Sequence, residues 1–168
     1  MKKWLKMILA WTLLLTMSAC VNKEEFEEIP TTMNEVQTML DEQEDFILLV
    51  ERENCPFCEK LHDYINETKR EHNEMKVYVL DTTEFKFKKE TPESKTLMAD
   101  TEEGTLFLES FPYFMYTPSI YIISSGEAVS VASGFDAITK EVSVWDVDSV
   151  IDFDRAINKN VWLYMEEV

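Results

Sequence analysis

The feature that most constrains the fold is a pair of cysteines placed between an apolar run and a helical pattern. The run FILLV at residues 46–50 is bounded by charged residues, which is typical of a buried strand. Cys55 and Cys58 follow it, and apolar residues then recur at three- and four-residue spacing, which predicts a helix over about 56–72. Residues 75–81 predict a second strand. This order predicts a right-handed βαβ unit with parallel strands.

Weaker patterns outline the rest of the chain. Thr32 and Glu35 form a potential capping box before a helix expected over about 33–43. A polar surface insertion with a helical piece is expected over 82–104. Strands over 118–123 and 128–133 are expected to form a hairpin, and Gly134 is expected to end the second strand. A helix is then expected over 147–159, followed by an apolar tail at 161–165 that docks on the core. Together they predict a mixed α/β domain over 33–168, with a central sheet flanked by helices.

The aromatic-rich stretch over 105–116 has two interpretations. Its five aromatic side chains could pack into the core, which we favour, or they could form a binding surface together with the preceding insertion. The chain as a whole is 45% hydrophobic, so it can bury a core of ordinary size without these residues.

The first residues have the pattern of an export signal. Three lysines before residue 7 are followed by an apolar stretch too short for a permanent membrane span, and small residues then precede Cys20. This ending resembles the lipobox of bacterial lipoproteins, although Met17 stands where leucine is usual. The resemblance implies a signal peptide at 1–19, a lipid on Cys20 and an acidic tether over 20–32, on the outer face of the cytoplasmic membrane. A plain signal peptide or an uncleaved anchor are the alternatives.

The charge of the chain excludes some classes of partner. Sixteen basic and 33 acidic residues give a net charge of −17, and removing residues 1–19 would leave −20. Such a chain is a poor ligand for nucleic acid, since that affinity depends on lysine and arginine neutralising phosphates. It would favour cationic proteins or peptides as partners. The alternative is that the charge serves solubility.

The spacing of the cysteine pair favours redox chemistry over a structural role. A disulfide between Cys55 and Cys58 closes almost no loop, so it would contribute little to stability. Structural zinc needs four ligands, and the only histidines are His62 and His72, of which His62 is expected to be a solvated or packing residue. Thiolates also suit Cu(I), but the nine methionines are expected to fill the core and tether. No metal or organic cofactor is expected.

The position of each cysteine on the predicted helix suggests its role. At a helix N-terminus, unpaired N–H groups and the helix dipole favour a negative charge, so Cys55 is the candidate nucleophile. Pro56 suits the first turn, where its missing N–H matters least. Cys58 lies one turn further, where we expect it to be more buried and to resolve a mixed disulfide made by Cys55.

With these residues the chain resembles the thioredoxin superfamily over about 33–160. The motif Cys55-Pro56-Phe57-Cys58, the pair Thr117-Pro118 before a strand, and the closing hairpin followed by Gly134 occur in the order of that family. The resemblance implies that Pro118 is cis and faces the cysteines, with the insertion preceding its loop. It also implies that the backbone at Thr117 pairs with a substrate peptide, and that Pro56 and Phe57 contact it.

One position departs from the family. Its members often have a buried acid six residues before the first cysteine, and Leu49 stands there in this chain. Glu51, Glu53 or Glu59 could take over proton transfer, but we favour their being surface charges.

A narrower resemblance points to anchored proteins that accompany bacteriocin production. It implies a disulfide oxidase or isomerase acting on exported thiol-containing proteins or cationic peptides, with a membrane redox partner. Two alternatives stay open. One is an extracytoplasmic reductase, since direction depends on reduction potential. The other is a non-catalytic peptide-binding lipoprotein.

Overall fold

The computed structural model describes residues 25–167, which form one seven-stranded sheet with helices on both faces. The strands are β1 (Glu27–Thr31), β2 (Phe46–Glu51), β3 (Lys76–Asp81), β4 (Ser119–Ser124), β5 (Glu127–Asp136), β6 (Glu141–Trp145) and β7 (Ile157–Asn160). The helices are α1 (Met33–Asp41), α2 (Pro56–Thr68), α3 (Glu102–Ser110) and α4 (Val161–Met165), with short 3₁₀ turns at Lys69–Glu71 and Thr83–Phe85. Within the described range, no helix is both long and apolar enough to cross a membrane.

The order of the strands confirms the predicted mixed α/β, thioredoxin-like fold. Across the sheet the order is β1-β3-β2-β4-β5-β6-β7, and the first three strands are mutually parallel while β4 to β7 are antiparallel to their neighbours. β2 and β3 pair in parallel with Ile47 opposite Val77, and α2 connects them. The βαβ unit expected around the cysteines is therefore confirmed.

Alternation along β2 divides the core into two faces. Phe46, Leu48 and Val50 point to the side covered by α1 and α3, which we call the α1 face. Ile47 and Leu49 point to the side covered by α2 and α4, the α2 face. All five are at most 4% exposed, and burying a side chain of this size stabilises the fold by about 1.5–3 kcal/mol.

Helix α1 begins as its sequence predicts. The Thr32 hydroxyl accepts a hydrogen bond from the Glu35 backbone N–H, and the Glu35 carboxylate accepts one from the Thr32 N–H at 2.8 Å. The apolar residues at helical spacing, Met33, Val36 and Met39, are buried on the α1 face.

The N-terminal boundary of the domain differs from the prediction. Residues 27–31, expected to belong to the acidic tether over 20–32, form β1 and pair with β3, so the folded domain begins before residue 33. The acidic side chains of β1 lie on an exposed edge strand, where charge is compatible with a sheet. Just before it, Phe26 packs edge-on against Trp162 with ring centroids 5.3 Å apart. The expected signal peptide at 1–19 and Cys20 lie outside the described residues.

The helix predicted over 147–159 is wrong. β6 and β7 pair across this region, and the connection between them consists of turns. Two aspartates explain the error, because Asp146 accepts a hydrogen bond from the Asp148 N–H and Asp152 accepts one from the Asp154 N–H. Such local side-chain bonds offer the backbone an alternative to a helix. The tail docks on the core as expected, as the buried helix α4.

Gly134 does not end its strand as expected. β5 continues to Asp136, and its pairing with β6 shifts register between Ser133 and Asp136. Gly134 has a φ of +72°, which a glycine adopts without strain and which permits this bulge. Its N–H donates to the Pro118 carbonyl at 2.9 Å, so the bulge is bonded to the residue after Thr117.

Between β3 and β4 the insertion is partly ordered around a helix. Lys88 and Met98 form an isolated bridge, and α3 follows. Phe107, Phe111 and Phe114 are at most 4% exposed, so the core-packing interpretation is confirmed for these three aromatics. Tyr113 and Tyr116 are 40% and 44% exposed, so they are available as a surface.

Candidate active site

Cys55 occupies the N-cap of α2, as the sequence predicts. Its backbone is extended (φ −105°), and its sulfur accepts a hydrogen bond from the Cys58 N–H at 3.2 Å. Pro56 takes the first helical position, and the Cys55 carbonyl accepts the Glu59 N–H at 3.0 Å, which starts the helical ladder. Cys55 and Cys58 are joined as a disulfide with Cα atoms 5.2 Å apart. The cysteine pair is therefore in its oxidised, disulfide-bonded form.

The loop before β4 faces this disulfide. The Thr117–Pro118 peptide bond is cis, and both the carbonyl oxygen and the hydroxyl of Thr117 lie 3.5 Å from the Cys55 sulfur. Strand pairing explains the proximity, because Val50 at the end of β2 is opposite Ser119 at the start of β4. Antiparallel pairing therefore places the segment after β2 and the segment before β4 at the same edge of the sheet.

The two cysteines are equally buried, at 3% and 4% exposure, so the expected difference between them is absent. They differ instead in what lies beside them. Cys55 lines a surface groove of about 510 Å³ together with Phe57, Tyr116 and Thr117, and Cys58 is not part of this lining. We call this surface the cysteine groove. Because Cys55 alone of the pair lines it, a ligand in the groove would meet Cys55 first.

A second groove of about 690 Å³ adjoins the first across Phe57 and Tyr116, and we call it the flanking groove. Its lining includes Phe153, whose ring packs on Tyr116 with centroids 5.3 Å apart. Phe57 and Phe153 are 55% and 47% exposed, so the surface beside the disulfide is aromatic. Sequence analysis missed Phe153 because the wrongly predicted helix concealed its position next to Tyr116.

Charge around the two grooves is balanced. The charged side chains that line them are Arg52, Glu53 and Lys86 in the cysteine groove and Lys60, Asp136 and Glu141 in the flanking groove. Three cations and three anions therefore surround the cysteine pair, although the chain as a whole carries −17. The acidity of the protein is concentrated elsewhere.

None of the proposed proton-transfer acids is a buried, unpaired carboxyl. Leu49 is 1% exposed, and Glu53 and Glu59 are exposed, which agrees with their being surface charges. Glu51 instead bonds to His62 Nε2, so it is neither free nor a simple surface charge.

His62 is an ion-paired residue, which corrects the expectation that it is solvated or packing. It lies one turn after Cys58, and its Nδ1 is 3.1 Å from Glu28 on β1. Hydrogen bonds to Glu28 and then to Glu51 raise the pKa of His62 to about 10. Its partners are 34 and 11 residues away in sequence, so no local pattern marks this cluster.

Residues 25–167 contain no group of three or more histidine, cysteine, aspartate or glutamate side chains that could hold an ion. The donor set around the cysteine pair consists of two sulfurs already joined to each other and the oxygens of Thr117. This arrangement suits sulfur exchange.

Comparison with known proteins adds little. No protein-family model matches the chain, and no curated protein matches it in sequence. Among solved structures, one similar chain is described as having a thioredoxin fold and as a proposed oxidoreductase. It shares 15% identity with a TM-score of 0.44, over 64% of this chain and 82% of that chain. A likeness this distant says nothing about activity.

Proposed function

We propose that this protein is a thiol–disulfide oxidoreductase in which Cys55 exchanges with the substrate, while Cys58 is the leaving sulfur when a substrate is oxidised and the resolving thiol when a substrate disulfide is reduced or reshuffled. The observation that carries the proposal is the placement of the Cys55 sulfur, which caps α2, accepts the Cys58 N–H, and lies 3.5 Å from the Thr117 hydroxyl in a surface groove.

The surroundings of Cys55 favour a negative sulfur. α2 has 13 residues, so its dipole presents about half a positive charge at the N-terminus. The Cys58 N–H and the Thr117 hydroxyl both donate toward the sulfur, and hydrogen bonds to a charged acceptor are stronger than neutral ones. Both effects stabilise the thiolate that leaves or attacks during exchange.

The exchange proceeds in two steps from the disulfide form. A substrate thiolate attacks the Cys55 sulfur, the bond between the two cysteines breaks, and its electron pair passes to the Cys58 sulfur, which takes up a proton. A second substrate thiolate then attacks the substrate sulfur of the mixed disulfide and releases the Cys55 thiolate. The substrate loses two electrons, which the cysteine pair gains. Of the two protons that the substrate thiols lose, one goes to Cys58 and the other to the solvent, because Cys55 is released as a thiolate. Repeated turnover needs a redox partner that reoxidises the pair.

The substrates we propose are exported proteins or peptides outside the cytoplasm, with peptides of the bacteriocin type as one case. Support comes from the basic and apolar start of the sequence and from Cys20, which would take a lipid. An oxidising compartment is where disulfide formation has a use.

The test uses the full chain and a reduced, unfolded dithiol protein as substrate. Cys55→Ser reduces the rate of disulfide formation to the uncatalysed background. Cys58→Ser, incubated instead with the disulfide-bonded form of the same substrate, accumulates a mixed disulfide visible on a non-reducing gel, because the Cys55 thiolate attacks that disulfide and no Cys58 thiol resolves the product. Cys20→Ser is the matched control, since it removes a cysteine but leaves the rate in detergent unchanged and shifts the protein from the membrane fraction to the soluble one. A Cys55→Ser protein that works at the wild-type rate would rule the proposal out.

The reduction potential of the pair decides the direction. A value near −120 mV marks an oxidase, whereas one near about −270 mV favours the alternative of an extracytoplasmic reductase. Equilibration of the pair with glutathione or dithiothreitol buffers, read by alkylation of the free thiols, measures it.

A second candidate is a peptide-binding protein that does no redox chemistry. The observation in its favour is that both cysteines are at most 4% exposed while the aromatic rings around them are open to solvent. A double Cys55→Ser, Cys58→Ser variant with full activity in the producing cell would favour this candidate.

A further inference from the structure

A separate cleft of about 390 Å³ lies on the α1 face, behind the loop that contacts Cys55. Three parts of the chain form its walls, namely α1, the segment 110–115 and the segment 145–151 after β6. We call it the rear cleft. Its walls are aromatic, with Phe111, Tyr113 and Trp145, and the Trp145 indole is held by a 2.8 Å hydrogen bond to Ser149. Volume and lining are those of a binding site rather than a packing defect.

Tyr121 places an unused hydrogen-bond donor in this cleft. The residue is 4% exposed and its ring packs on Phe111 with centroids 4.5 Å apart, yet its hydroxyl makes no hydrogen bond to any group within residues 25–167. Every sealed side-chain nitrogen or oxygen in that range has a partner, so the hydroxyl must reach open space, and the rear cleft is the space that Tyr121 lines. Burial raises the pKa of Tyr121, so the hydroxyl keeps its proton and remains a donor.

The charged residues that line the rear cleft are all acidic, and the cation Arg155 lies over the Trp145 ring at 5.8 Å from its centroid without lining the cleft. Its charged lining residues are Asp41, Glu127 and Asp148, and no lysine, arginine or histidine of the described chain lines it. This differs from the balanced charge of the two grooves around Cys55. Three carboxylates beside aromatic rings attract a cation and repel an anion.

We propose that the rear cleft binds a peptide segment in which a basic side chain lies next to an apolar one. The apolar side chain packs between Phe111 and Trp145, the cation meets the carboxylates at the rim, and a backbone carbonyl accepts the Tyr121 hydroxyl. A peptide is favoured over a free amine because the cleft offers a buried donor as well as acids, and an amine supplies no acceptor for that donor. The rear cleft is independent of the proposed exchange chemistry.

The rear cleft and the cysteine groove share a wall. Phe114 and Met115 line both, and Ser119 in the cleft donates to the Tyr116 carbonyl at 2.8 Å. A peptide in the cleft would therefore lie directly behind the loop that carries Thr117.

The experiment measures binding without exchange. The full chain carries Cys55→Ser and Cys58→Ser, and the probe is a fluorescein-labelled, cysteine-free hexapeptide of alternating lysine and phenylalanine, followed by anisotropy in dilute buffer. Asp148→Asn is expected to weaken binding about threefold and the Asp41→Asn, Asp148→Asn pair about tenfold, as for partly exposed ion pairs. Tyr121→Phe is expected to weaken it about fivefold, as for one lost hydrogen bond.

Controls separate the cleft from the overall charge. Glu67→Gln makes the same charge change on an exposed position of α2, on the other face of the sheet, and is expected to leave binding unchanged. A probe with glutamate for lysine, and one with serine for phenylalanine, should each bind at least tenfold more weakly. Circular dichroism and a thermal melt confirm that each variant is folded.

Three outcomes would overturn the proposal. Equal weakening by Glu67→Gln and Asp148→Asn would mean that the probe senses net charge alone. Loss of binding in Phe57→Ser but not in Tyr121→Phe would place the probe in the cysteine groove. A dimer in sedimentation velocity that Asp148→Asn dissolves would assign the cleft to a second copy of the chain. Failure of the Cys55→Ser rate test would reject the exchange chemistry and leave this binding result untouched.

Discussion

Two buried tyrosines on opposite faces of the sheet differ in whether their hydroxyls are hydrogen-bonded. Tyr164 of α4 is 0% exposed on the α2 face, and its hydroxyl donates to the Ile120 carbonyl at 3.1 Å and lies 3.2 Å from the Ser130 hydroxyl. Tyr121 on the α1 face is almost as buried, but it lines the rear cleft and its hydroxyl has no partner in the described chain. Burial raises the pKa of both.

The difference indicates that the α2 face is packed for stability, whereas the α1 face leaves an opening in which a ligand could bind. α2 and α4 close the α2 face, and the buried polar atom of Tyr164 is satisfied, as expected where packing provides stability. The α1 face is closed by α1 and α3 near β2 but stays open over β4 and β5. A donor left unpaired there contributes nothing to folding and is available to a ligand.

The largest expected contrast concerns one residue type on the two faces. Leu61 of α2 is 0% exposed, and Leu61→Ala should lower the free energy of unfolding by about 3 kcal/mol, because the tightly packed α2 face would enclose a cavity. Leu40 of α1 lines the rear cleft, so Leu40→Ala enlarges an existing opening and should lower it by about 1 kcal/mol. Urea unfolding of both variants measures the pair, and equal losses would mean that the cleft closes in solution.

A smaller contrast comes from the hydroxyls. Tyr164→Phe removes a satisfied donor and should reduce the free energy of unfolding by about 1–1.5 kcal/mol. Tyr121→Phe removes a hydroxyl without a protein partner, so stability should change by less than about 0.5 kcal/mol. Thermal and urea unfolding of the two variants in parallel provide the measurement. A comparable loss in Tyr121→Phe would show that its hydroxyl is bonded within the fold.

The smallest expected effect tests the charged edge of the α2 face. Because bonds to Glu28 and Glu51 raise the pKa of His62 to about 10, its charged form stabilises the folded state. This contribution is complete below the ordinary histidine pKa of 6.5 and is lost as pH rises through about 10. The side chain is 30% exposed, so solvent screening limits the loss to about 1 kcal/mol.

Urea unfolding at pH 7 and pH 10.5 measures that loss against His62→Gln, which cannot titrate. The variant should be less stable than the wild type at pH 7, and the difference should shrink at pH 10.5. A gap of the same size at both pH values would contradict a role for the His62 charge.

The half of the fold around the cysteines could be predicted because its signals are local. The apolar run of β2, the proline at the start of α2 and the apolar spacing along α2 lie within 20 residues of one another, and each favours the same unit. Thr117 and Pro118 were predicted from the resemblance. The structure confirms the cis bond between them and places Thr117 beside Cys55. Their contact with substrate stays a prediction.

Predictions from the sequence failed where side-chain hydrogen bonds, or partners distant in sequence, override the local spacing of apolar residues. Val147, Val150 and Ile151 have helical spacing, but the neighbouring aspartates bond to their own backbone and break the helix into turns. β1 was not predicted because its composition is acidic. These residues form a strand because they pair with the open edge of β3. Segments more than a hundred residues apart form the rear cleft, so no local pattern in the sequence could predict it.

The pairing of β1 would limit how far the domain could stand from a lipid on Cys20. If Cys20 carries a lipid, six peptide units separate it from Phe26, which already packs on Trp162. Fully extended, that stretch reaches at most about 20 Å, less than the width of a small domain. Because β1 and β2 run in the same direction, such a short spacer would enter at the amino end of the parallel strands, opposite the end that carries Cys55. The cysteine pair would therefore face away from the lipid, one strand length from the point of attachment.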